Sequence, residues 1–156
     1  MTPMILSLGL LTFLHDLFTA LWVGGLLTLS LTVAPVARSM MEKEQVQKFM
    51  SAIQKRLSGF VYVSIVGLAV TGIMLGKRNP DFERLFMFDT TFRAMLSVKH
   101  IVMFVMVALA LGRSIVVPKL KLPPQKKNGL SMMLLLANVV AGVVILALSG
   151  FVAALS

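Results

Sequence analysis

The chain has 156 residues, 58% of them hydrophobic and 13% charged, with a mean hydropathy of +0.92. A soluble domain carries about a quarter charged residues, so this composition excludes a water-soluble globule and implies an all-α integral membrane protein. Cysteine is absent, which removes disulfides, thiolate metal sites and covalently attached haem; the net charge of +9 reads as a topology signal and a lipid contact, with no nucleic acid as partner.

Four apolar runs each reach the ~20 residues that cross ~30 Å of hydrocarbon as a helix. They predict one integral membrane domain over residues 1–156, a four-transmembrane-helix up-down bundle with spans at about 4–33, 57–76, 91–117 and 130–155. The first run lacks a basic leader and is too long for the core of a cleaved signal, so it reads as a retained span. Pro35 is expected to end it. The segment Arg38–Arg56 then spaces Met41, Val46, Phe49, Met50 and Ile53 roughly as a helix does, and predicts either a short amphipathic helix or an extension of the second span. Span two carries Gly59, Ser64, Gly67, Thr71 and Gly72, small residues that let helices approach closely. In the following loop, Pro80 and Asp81 read as a turn. Span three is closed by Pro118, and the basic linker Lys119–Gly129 is interrupted by Pro123–Pro124. Span four places Asn138, Gly142 and Ser149 on one side.

Ten lysines and arginines fall in the first and third loops, against four in the second loop and the start of span three. The positive-inside rule then puts loops one and three in the cytoplasm and both termini outside, in a multi-pass protein of the cytoplasmic (plasma) membrane.

The chemistry centres on LHDLFTALWVGG, residues 14–25. Ionisable groups at membrane depth are costly and suggest a functional site. Leu8, Leu11, His15, Phe18, Trp22, Gly25 and Leu29 share one helical face, which combines a ligand-type nitrogen, a flat ring and a glycine. The second histidine of the chain is His100. His15 lies ~16 Å along span one and His100 ~12 Å along span three, at 1.5 Å per residue, so the two share a depth in the outer half of the bilayer. In an up-down bundle, spans one and three are diagonal, with axes roughly 12–14 Å apart. Two inward imidazoles do not touch across that gap, but a haem bridges it, since its iron accepts two axial nitrogens. Arg93, Ser97, His100, Phe104 and Val107 share a stripe. Arg93 lies two turns outward, where a propionate wants a cation, and Arg84 is a second candidate. Thr71 belongs to the slim walls on the other helices.

Blander readings stand beside each of these. Either histidine can be a hydrogen-bonded structural residue, Trp22 a packing residue, Arg93 an interfacial anchor, and the small residues only a packing surface within one bundle or between two copies in a homodimer. Asp16 and Lys99 each point about 100° away from their histidine. They read as an ion pair or a snorkelling lysine, as an alternate axial ligand in Lys99, or as a proton acceptor in Asp16.

The pattern HDLFTALWVGGLLTL…AP, the VTG at Val70–Gly72 and the span FRAMLSVKHIVMFVMVALALGR resemble the four-helix core of the copper resistance protein D (CopD) family over spans one to three. They are also similar to the haem-binding protoporphyrinogen oxidases of bacteria, whose important histidine and lysine would match His15 and Lys99, and more distantly to b-type membrane cytochromes. The resemblance implies a membrane-embedded cofactor or metal task. The expectation is a small cytochrome holding one haem b between His15 and His100, with Arg93, Trp22, Gly25, Ser97 and Thr71 around it, and transferring electrons with a quinol or a redox protein. The alternatives are copper transport or tolerance using His15, His100 and methionines, and a porphyrinogen-oxidising haem enzyme.

Overall fold

A computed structural model describes residues 2–78 and 86–155. They form helices and short connections, with no strand among the described residues. Four helical rods result: α1 (Pro3–Met40), α2 (Lys43–Gly76), α3 (Thr91–Lys119) and α4 (Pro124–Leu155). The shortest has 29 residues, or ~43 Å of helix, more than the ~30 Å of hydrocarbon. This is an all-α, multi-pass membrane protein.

The rods are longer than the apolar runs, for local reasons. Lys43–Gly76 is one unbroken helix, so the amphipathic segment after Met41 is an extension of span two. An exposed Glu44–Lys48 pair at i,i+4 and Glu44 in the first turn both favour that start. Pro124 opens α4 at its first position, where the missing N–H costs nothing.

Pro35 does not end span one, contrary to its reading as a stop; the helix runs on to Met40. A proline ring inside a helix clashes with the carbonyl four residues back. Here the preceding stretch, Leu29–Val33, is a wide π-helical turn, and the Ala34 N–H donates to Leu29 O, five residues back. The wide turn re-aims the carbonyls ahead of the ring. The same device recurs in α3: Gly112–Val116 is π-helical, Val117 donates to Gly112 O, and Pro118 follows. There the helix stops within one residue of the proline.

Two compact units divide the chain, residues 1–75 and 76–156. In the first, α1 and α2 run antiparallel: His15 meets Thr71, Phe18 meets Gly67, and Gly25 lies against Leu57. Leu11, Trp22, Leu26 and Leu29 are buried on α1, and Val61, Ser64 and Thr71 on α2. In the second, α3 and α4 are antiparallel, with Asn138 Nδ2 donating to Met106 O (3.3 Å) and Lys127 Nζ to Pro118 O (2.9 Å). Leu135, Asn138, Gly142 and Ile145 form the buried stripe of α4. Large apolar side chains such as Phe13, Val63, Phe104 and Val140 point outward and are exposed, as a lipid-facing surface requires.

Candidate functional site

The first unit builds its polar centre around His15. The residue is half-buried on α1, and its Nδ1 lies 2.8 Å from Thr71 Oγ1 of α2. A threonine hydroxyl has one hydrogen, and Thr71 directs its own to the Gly67 carbonyl at 2.7 Å, with Leu68 O more distant at 3.5 Å. The Thr71 oxygen therefore accepts, and His15 Nδ1 donates. In the neutral ring, that leaves the lone pair on Nε2.

The approach that makes this bond possible is set one turn away. Gly67 has no side chain, and the Phe18 ring lies where one would be: a Cβ there would be 2.3 Å from the ring. Gly72 is less crowded, with an added Cβ at 3.6 Å from His15 Cε1. Gly25 does a similar packing job further along, where a Cβ would come within 2.9 Å of Leu57 Cδ1.

Trp22 sits in the π-helical turn Ala20–Gly24 and is 2% exposed. Its indole N–H meets no acceptor among the described residues, and neither does the fully buried Ser64 hydroxyl. The contacts at Phe18–Gly67 and Gly25–Leu57 bracket both residues, so the register of the antiparallel pair puts them within about a turn of each other. Orphaned donors on one buried face fit a ligand that brings acceptors. Asp16, by contrast, is exposed.

The second unit holds His100, half-buried on α3. Its Nδ1 lies 2.7 Å from Leu96 O, one turn back. A carbonyl only accepts, so Nδ1 carries the hydrogen and the neutral ring again presents its lone pair on Nε2. Arg93 pairs with Asp89. Ser97 is fully buried, donating to Arg93 O (2.7 Å) and accepting from Phe86 N–H (3.0 Å). That second bond ties the connection, where Phe86 has a left-handed φ of 70°, to the start of α3. Ser97 thus fastens the chain ahead of the histidine. Lys99 is half-buried. Pro80, Asp81 and Arg84 lie outside the described residues.

Of the anticipated site residues, the structure joins His15 to Thr71 and Arg93 to Ser97. It places Trp22 and Gly25 on the His15 face of α1, in the first unit, with His100, Arg93 and Ser97 in the second. Phe18 with Gly67 escaped sequence reasoning because their contact depends on helix register. Arg113, an ionisable side chain within an apolar run as His15 is, carries the same sequence signal of a site.

Each unit holds one half-buried imidazole whose Nδ1 is engaged by a protein oxygen, so that in the neutral ring Nε2 is the ligand-type nitrogen. A bare ion asks more of the chain, and among the described residues no three His, Cys, Asp or Glu side chains cluster to hold one.

No curated protein and no solved structure matches the chain. A family model described as a domain of unknown function (DUF4149) matches residues 17–116, well over half of the sequence. The match takes in Trp22, Gly25, Thr71, Arg93, Ser97, Lys99 and His100, and begins two residues after His15. The chain belongs to the DUF4149 family.

Proposed function

We propose that the protein is a small b-type cytochrome of the cytoplasmic membrane that binds one haem between His15 and His100 and transfers electrons. The observation that carries this reading is the shared state of the two imidazoles. Each donates its Nδ1 hydrogen to a protein oxygen and so directs its lone pair through Nε2, the arrangement that fixes ring orientation and raises basicity in histidine ligands. A haem held by both His15 and His100 would keep no open position for oxygen, which favours electron transfer over oxygen chemistry. The haem, when bound, supplies one-electron redox chemistry at its iron. The chain supplies the rest. Thr71 orients the His15 ring, the Leu96 carbonyl orients His100, and Trp22 offers an indole N–H to an acceptor. Electrons would pass to or from a quinol or a redox protein.

A porphyrinogen-oxidising enzyme with Lys99 as ligand is the second reading, favoured by a half-buried lysine on a membrane helix. The resemblance to the CopD-like and haem-binding families is consistent with either.

The test is the visible spectrum of the purified protein, oxidised and then reduced. A sharp alpha band on reduction supports the cytochrome; a protein that takes up copper and shows no such band overturns it. A further expectation concerns the partner of His15. Thr71→Val keeps the shape and removes the acceptor, so haem affinity falls roughly 10- to 100-fold. Thr71→Ser retains most of it, as a haem titration of both variants would show.

A further inference from the structure

Among the described residues, the second unit holds a cation, Arg113, with no ion pair or hydrogen bond at its buried nitrogen. From Thr90 to Ser156 the sequence has no acidic side chain. Arg113 lies in the π-helical turn ahead of Pro118, and its Nη1 is buried with no hydrogen-bond partner among the described residues. Taking a guanidinium out of water without an anion is strongly unfavourable. Its anion must come from beyond this helix pair.

The position says what. Arg113 is six residues from the end of α3 at Lys119, ~9 Å along the axis, near the boundary between hydrocarbon and headgroups. Lys119, Lys121 and Lys126 follow within the linker and the first turn of α4, and are exposed. The bond from Lys127 Nζ to Pro118 O holds the two helix ends together. A guanidinium with one buried, unsatisfied nitrogen, followed along the chain by three exposed lysines, matches a phosphodiester that carries net negative charge. Arginine engages phosphate oxygens in pairs, and each nearby lysine adds attraction to an anionic headgroup. A zwitterionic headgroup would bring its own cation into this collar.

We propose that this end of the second unit binds an anionic phospholipid headgroup, with Arg113 on the phosphate and Lys119, Lys121 and Lys126 around it. The proposal is independent of haem binding.

It is tested on the full chain by native mass spectrometry and by thermal unfolding in detergent, with phosphatidylglycerol, phosphatidylcholine or inorganic phosphate added. Wild type should retain phosphatidylglycerol in preference to phosphatidylcholine and melt higher with it, while inorganic phosphate gives no comparable rise. Arg113→Gln removes an unpaired buried charge and so folds, but its preference for phosphatidylglycerol falls about tenfold, the ~1.4 kcal/mol of one charge-assisted bond. Lys121→Gln/Lys126→Gln weakens the preference less than Arg113→Gln does. Equal retention of both lipids by wild type, an unchanged preference in Arg113→Gln, or equal stabilisation by inorganic phosphate would overturn the assignment.

Discussion

Replacing His15 with alanine should leave a protein that inserts and folds but no longer shows a reduced alpha band. In the proposed cytochrome the substitution would remove an iron ligand, so the loss exceeds the roughly 10- to 100-fold expected for an outer partner such as Thr71. His100→Ala should behave alike, because in the proposed cytochrome each imidazole would supply one of two positions on the same iron. Lys99→Ala should keep the band, since its side chain projects about 100° from that of His100 on the helix. External imidazole offers a check against simple misfolding: added to His15→Gly, it should restore part of the signal. Haem content per chain after reconstitution reads all four variants. If Lys99→Ala loses haem while His100→Ala keeps it, the porphyrinogen-oxidising reading replaces the cytochrome.

The second large effect falls on packing in the first unit. Gly67→Ala places a methyl 2.3 Å from the Phe18 ring, far inside van der Waals contact, so the ring must swing away or the helices must part. Overpacking of this kind typically costs ~1–3 kcal/mol. Against it stands alanine's better helix propensity, about 1 kcal/mol over glycine, and the clash wins because the obstacle is a ring held between two helices. A net loss of up to ~2 kcal/mol is expected. The His15–Thr71 bond is one turn away and should lengthen with it, lowering haem occupancy. Gly72→Ala is the contrast: its methyl makes ordinary contact at 3.6 Å with His15, so stability is unchanged or slightly raised. Phe18→Leu combined with Gly67→Ala should recover part of the loss. Denaturant unfolding of the three variants, with haem occupancy alongside, checks the set.

The membrane class and the four helices were legible because they rest on composition and on run length, properties each segment carries alone. The buried face of α1 from Leu11 to Leu29 was legible for the same reason, as a 3.6-residue period. Pro35 misled, because its local rule holds for an α-helix. The π-helical turn that accommodates it is a choice among hydrogen-bond partners four or five residues back, with no residue-type signature in Leu29–Val33. The pairing of His15 with Thr71 lay beyond reach as well. It joins positions 56 apart and follows from the register of two helices, which Phe18 and Gly67 set by contact rather than by pattern. Thr71 was visible as a small residue and Ser97 as a neighbour of His100. Their hydrogen-bond roles, one orienting a ring and the other fastening Phe86, required coordinates.

The proposed ligation of one iron by Nε2 of two imidazoles has a direct test because the chain has two histidines. With histidine alone labelled by nitrogen-15, pulsed electron paramagnetic resonance of the oxidised, haem-loaded protein should show two coupled imidazole nitrogens on a low-spin iron. A single coupled histidine nitrogen, or none, would contradict it.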